Sequence, residues 1–190
     1  MSLPFEIEKI ESEALWSGEG PEDSTYRYKL YHRFPSGLAV GEPPHKYVLF
    51  IMMNPSYASE SQWDNTVRRC AGYAYEWGYS GLCVGNIFAY RTPFPKGGTD
   101  KHGKTWPPIW EAEDPIGPGN DVAILSMLSD VRTQKVVCAW GNAGQKLGRG
   151  KEVWSMIKNV GIEPTALKVN KSGEPAHPLY LPKDLTPSPY

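Results

Sequence analysis

Cysteine is scarce in this chain: three in 190 residues, Cys70, Cys83 and Cys138, with no CxxC pair among them. An odd and widely spaced set excludes a disulfide framework and a four-cysteine metal cluster. Cys83 and Cys138 lie in the apolar runs Leu82-Cys83-Val84 and Val136-Val137-Cys138-Ala139, where a thiol reads as a small buried hydrophobe. Long hydrophobic runs are missing as well. None approaches the ~20 residues of a membrane-spanning helix, and the N-terminus has no basic-then-apolar leader pattern. The expected location is therefore cytoplasmic, with no membrane partner. Neither charge sign is in excess: 20 basic residues face 21 acidic ones, a formal net charge of -1. Non-specific wrapping of nucleic acid, which needs a strongly basic face, is excluded as the dominant design, although a local basic patch is compatible with that balance. The chain also has no GxGxxG, HExxH or GxSxG, and no phosphate-binding loop is expected. Dinucleotide-dependent, zinc-protease, serine-hydrolase and kinase-like readings thus have no motif beneath them.

Aromatic residues are plentiful, at 12% with 7 Trp and 11 Tyr. They serve cores, and they also stack on bases. Residues 1–25 are acidic and turn-rich and are expected to form an N-terminal arm. Tyr26 to Arg33 alternates aromatic with basic residues, a strand with one wet face. Lys46 to Met53 is an uninterrupted apolar run, the signature of a strand buried on both sides, and it stops at Asn54-Pro55-Ser56. Helical spacing runs from Gln62 to Trp77. Leu82 to Phe88 and Lys135 to Trp140 are two more buried strands, and Thr165 to Val169 is a fourth. Asp121 to Leu128 and Ala143 to Asn159 are expected helices. Residues 92–119 form a long Pro- and Gly-rich connection, a length more typical of lids and binding loops than of plain linkers. Residues 170–190 carry five prolines and read as irregular.

Strands alternating with helices give a three-layer α/β/α domain over residues 26–182, with a 183–190 tail. Its central sheet is mainly parallel and four-stranded, with an antiparallel N-terminal edge strand. Ligands of such sheets bind outside the carboxyl ends of the strands. Four polar sites meet that condition: Asn54, Asn86, Trp140-Gly141-Asn142 and His177-Pro178. Each also has a structural reading. Asn54-Pro55 suits a turn, Asn142 suits a helix cap, and His177 is a lone histidine, though one held between Pro175 and Pro178. Asn86 is a polar amide inside an apolar run, where burial is costly unless a partner reads it. Asp64 or Thr66 can cap the first helix, whose start with Arg68 and Arg69 also suits a phosphate.

At these residues the chain is similar to a bacterial and phage family, domain of unknown function 1643. The matching stretches are Asn54-Pro55-Ser56, Asp64 to Arg69, Asn86 to Arg91, Asp114 to Gly117, Cys138 to Gly141 and Gly173 to Leu181. More distantly, the order of motifs resembles the uracil-DNA glycosylase superfamily. There a first strand ends in a water-orienting GxNPG- or GxDPY-like motif and a second in a base-reading Asn. A third strand ends in a [LW]G turn, and a His-Pro motif follows the last. Met52 and Ser56 stand here in place of that motif's glycines.

The resemblance implies a DNA glycosylase-like hydrolase that cleaves the N-glycosidic bond of a flipped, modified or unmodified base in DNA. Asn54 and Asp64 would orient and activate water, and His177 would stabilise the departing base. Asn86, Tyr57, Trp140 and Asn142 would surround that base. Ser56, Arg68, Arg69 and Arg91 would hold phosphates, and Tyr180 or Leu181 would wedge into the vacated stack. DNA, single- or double-stranded, is the expected partner, and no cofactor or metal is expected. A nucleoside or nucleotide hydrolase and a non-catalytic module binding a modified base remain open alternatives. DNA repair, phage defence and phage metabolism remain open as settings.

Overall fold

The computed structural model describes residues 10–35 and 45–190. Seven strands form one mixed sheet: β1 (Glu11–Trp16), β2 (Arg27–Arg33), β3 (Tyr47–Met52), β4 (Gly81–Asn86), β7 (Thr133–Cys138), β8 (Thr165–Ala166) and β9 (Ser188–Pro189), in the spatial order β1-β2-β4-β3-β7-β8-β9. The four strands β4, β3, β7 and β8 are parallel, as expected from the apolar runs, and β2 pairs with β4 in antiparallel fashion. All six residues of β3 and all six of β4 are buried, because helices cover both faces of this part of the sheet.

Alternation along the strands sends side chains into two cores. Val48, Phe50, Leu82 and Val84 pack with Val67, Ala71 and Ala74 of α1 (Asn65–Glu76). Leu49, Ile51 and Cys83 pack on the other face with Ile124 and Met127 of α2 (Asn120–Leu128) and Val153 and Ile157 of α3 (Arg149–Asn159). The chain is thus a mixed α/β protein with a mostly parallel central sheet. Cys70, Cys83 and Cys138 are all free and buried. Among the described residues no helix is long and apolar enough to cross a membrane.

Several expectations are corrected. The N-terminal arm supplies β1, which pairs with β2 and makes the sheet edge, so β2 is an inner strand. The fourth parallel strand is only two residues long, and the Pro-rich tail returns as β9 beside it. The third helix begins at Arg149 and not near Ala143. Residues Gly141–Gly148 are 3-10 turns broken by consecutive left-handed residues, Leu147 at φ 56° and Gly148 at φ 67°. The 92–119 connection contains a hairpin, β5 (Lys96–Thr99) and β6 (Thr105–Pro108), followed by a 3-10 turn at Ile109–Glu111. That hairpin also carries a GxxxxGKT pattern, Gly98 to Thr105, contrary to the expectation that no phosphate loop exists. A phosphate loop must run from a strand into a helix. Here the letters span two antiparallel strands, and Asp100 Oδ1 already accepts from the backbone N–H groups of His102 and Lys104.

Candidate active site at the carboxyl edge of the parallel strands

The ends of β3 and β4 lie side by side, with Met52 paired to Asn86. Beyond them the backbone stays zipped: Ile87 and Phe88 donate to the carbonyls of Met52 and Met53, and Thr92 donates to Pro55. This holds the Asn54-Pro55-Ser56 turn against the segment after β4. Between that turn, the start of α1 and the loop after β8 lies a cavity of about 190 Å³, lined by Arg27, Asn54, Ser56, Asp64, Thr66 and His177 among others. Three residues expected to do chemistry, Asn54, Asp64 and His177, therefore share one cavity although they span much of the sequence.

Each is held by local structure. The Asn54 amide nitrogen donates to the carbonyls of Pro55 and Thr92, both at 2.8 Å. That fixes the amide orientation, and no described residue donates to its Oδ1, which remains an acceptor at the cavity wall. Asp64 is the N-cap of α1: its Oδ1 accepts from Val67 N at 2.8 Å, while its other oxygen makes no hydrogen bond within the described structure. His177 caps the 3-10 turn Pro178–Tyr180, its Nδ1 accepting from Leu179 N at 3.4 Å. An accepting Nδ1 assigns the ring proton to Nε2, which makes the neutral imidazole a donor. Burial lowers the His177 pKa below its ordinary 6.5 and the nearby Asp64 carboxylate partly restores it, so the ring is predominantly neutral at pH 7.

Other expected residues are not brought into this cavity. Asn86 lies just behind it, 1% exposed, its Oδ1 accepting from Arg27 Nη2 at 3.4 Å. It therefore offers only a donor, where both a donor and an acceptor were expected. Trp140 faces the opposite core, and its indole N–H donates to Glu174 at 2.7 Å. Asn142 is exposed, and its Oδ1 accepts from Asn170 and Ser172. It borders a separate, largely apolar hollow with Phe94 and Trp110, which shares Met53, Pro93 and Pro95 with the polar cavity. Tyr57 is exposed and does not line the cavity.

Arg91 is occupied structurally: it donates to the carbonyls of Ser56 and Pro21 and lies over the Trp16 ring. Leu181 is half-buried and packs against the α1-side core. Arg68, Arg69 and Tyr180 instead line a groove of about 440 Å³ together with Asn65 and Lys183. Its lining holds three basic residues and no acidic one. The groove and the cavity draw on the same two stretches of chain, with Asn65 next to Asp64 and Leu179 two residues beyond His177.

Arg27 is the residue that the sequence pattern hides. Alternation places it with Lys29 on the wet face of β2, but the pairing with β1 shifts register: Leu15 pairs with Lys29, and Trp16 with Arg27. The bulge leaves Tyr28 as the extra residue and turns Arg27 to the α1 face, 2% exposed. No ion pair reaches it among the described residues. Burial pushes its pKa down to about 10, with Asp64 acting the other way, so it stays charged at neutral pH. The register shift that turns it inward depends on the pairing of β1 with β2 and leaves no signal in the local sequence pattern.

No curated protein and no solved structure matches the chain. A family model described as a protein of unknown function, DUF1643, matches residues 27–179, from the buried arginine to the loop that carries His177, and the chain belongs to that family.

Proposed function

We propose that the chain is a DNA glycosylase-like hydrolase, built as a three-layer relative of the uracil-DNA glycosylases, that releases a flipped base from DNA. The observation that carries this reading is the convergence of Asn54, Asp64 and His177 on one cavity. At about 190 Å³ it is smaller than the roughly 300–1,000 Å³ of drug-sized sites, and so suits one ring or one anionic group, with the rest of a nucleotide outside it. In the step proposed, water attacks the sugar carbon. The bond to the base nitrogen breaks with its electron pair going to the base, and the water proton passes to the Asp64 carboxylate. Asn54 Oδ1 accepts from the water and orients it. The neutral His177 donates Nε2–H to the departing base anion, which is stabilisation where charge develops. Arg68, Arg69 and Lys183 supply a phosphate track, and the exposed Tyr180 stands where a stacking or wedging side chain is needed.

One observation favours a second reading, a module that binds a modified base without cutting it. Asn54 commits its amide nitrogen to two backbone carbonyls, and Met52 and Ser56 replace glycines that allow close backbone approach in the superfamily it resembles. Oligonucleotides carrying single modified bases, incubated with the protein and then treated with alkali, separate the two. Strand breaks at one modified base are expected, with loss in Asp64→Asn. Retention of such an oligonucleotide without a break supports the second reading and removes the first.

A further inference from the structure

We infer that the ligand of this cavity carries an oxyanion, a carboxylate or phosphoryl group, which seats against the Arg27 guanidinium. The inference rests on the cavity being the functional site, and not on any bond being cleaved there.

Arg27 is 2% exposed and lines the cavity, yet among the described residues its side chain meets only the carbonyl of Ala58 and the amide oxygen of Asn86. Its Nε has no acceptor among the described residues, nor has Asn86 Nδ2. The contact between them fixes the Asn86 amide with its oxygen toward Arg27, so both unfilled groups are donors. A buried cation is retained when something opposite in charge meets it, and unfilled buried donors point to an absent acceptor. Two further features bear on the same space. The N-terminus of α1, a helix of twelve residues, opens onto the cavity at Thr66 and Val67 and presents the positive end of its dipole. The neutral His177 adds a third donor, through Nε2.

Asp64 is the one acidic side chain in the lining. It forms no ion pair with Arg27, and its Oδ1 is engaged by Val67 N, so it leaves the guanidinium uncompensated at contact range. The acceptor-only edge of a carboxylate or phosphoryl group matches this array of donors. A neutral edge bearing N–H groups set against the Arg27 guanidinium would instead place donor against donor.

The test is calorimetric titration of the native chain with two matched pairs: a pyrimidine carboxylic acid against its carboxamide, and a nucleoside 5′-monophosphate against its nucleoside. The charged member of at least one pair should bind about tenfold tighter or more, as a charge-assisted contact requires. Whichever pair shows it identifies the source of the oxyanion. The preference should vanish in Arg27→Met and persist in Lys171→Ala, an exposed lysine that lines neither the cavity nor the groove. Should Arg27→Met fail to fold, Asn86→Asp gives the same reading by setting a carboxylate against the guanidinium, and the preference should vanish there too. Equal affinities, tighter binding of the neutral members, no binding of either pair, or a preference that survives these variants would each overturn the inference. Charge-selective binding without base release from oligonucleotides would discard the hydrolase and keep the oxyanion site. Base release without charge selectivity would do the reverse.

Discussion

Arg27 Nη2 and Asn86 Oδ1 lie 3.4 Å apart in the layer beneath the cavity, and the contact joins an antiparallel strand to the end of a parallel one. It sets which way the Asn86 amide faces, and so leaves a buried donor, Nδ2, unfilled behind the cavity. Asn120 supports the same strand end from the other face, its amide nitrogen donating to the carbonyls of Asn86 and Ile87. The end of β4 is therefore gripped from both sides of the sheet.

Asn86→Ala should destabilise the fold by about 1–3 kcal/mol, because a buried charged donor loses its acceptor. At this chain length that corresponds to a fall in Tm of roughly 2–4 °C per kcal/mol. Thermal unfolding followed by circular dichroism measures it. A variant melting with the parent would show that Arg27 is held by Ala58 alone.

Asp64 combines two roles that substitution can separate. Asp64→Ala removes the α1 cap and should cost about 1 kcal/mol of stability. Asp64→Asn keeps an oxygen acceptor for Val67 N and should melt close to the parent, yet it cannot take a proton from water. Base release should therefore collapse in both variants while stability falls only in the alanine one. If Asp64→Asn releases base at the parent rate, the carboxylate is a cap and nothing more.

Much of this architecture can be read from residue patterns. Tyr47–Met52 and Gly81–Asn86 announce themselves as doubly buried strands because no polar residue interrupts them before their ends, and the ends are where Asn54 and Asn86 fall. The convergence of Asn54, Asp64 and His177 follows from that topology. Two features escape such reading for physical reasons. The bulge that turns Arg27 inward depends on pairing between β1 and β2, a long-range register that local alternation does not encode. Trp140 lies at the end of β7 as expected, but strand alternation and its bond to Glu174 commit it to the far core.

His32 should make the protein sensitive to mild acid. It is fully buried 4.3 Å from the Trp63 ring, with Nδ1 bonded to Ser12 and Nε2 without a partner among the described residues. Burial, reinforced by the charge on Arg27, lowers its pKa from 6.5 to about 3. A folded value below the unfolded one means the unfolded chain takes up the proton first as pH falls. The stability this residue confers is thus complete above pH 6.5 and is lost progressively down to about pH 3. The slope is on the order of 1 kcal/mol per pH unit. Urea unfolding of the parent and His32→Leu at several pH values isolates it. The variant's profile should be flatter below pH 6.5. Parallel profiles would mean that carboxylates alone set the acid limit.

The basic groove and the cavity should fail in different ways. Tyr180 is 89% exposed and touches little, so Tyr180→Ala should leave the melting temperature unchanged. If it stacks on a base or fills a vacated step, the same change should weaken oligonucleotide binding by about 1–3 kcal/mol, roughly tenfold or more. Arg68 and Lys183 act through charge and should behave otherwise. Each alanine substitution there should weaken binding at every sequence alike and reduce the slope of log affinity against log salt by up to about 0.7 per lost contact on single strands. Fluorescence anisotropy across a salt series reads both quantities. Unchanged slopes for Arg68→Ala and Lys183→Ala, together with unchanged affinity for Tyr180→Ala, would remove nucleic acid from the groove. Free nucleosides and nucleotides would then be the remaining substrates for the cavity beside it.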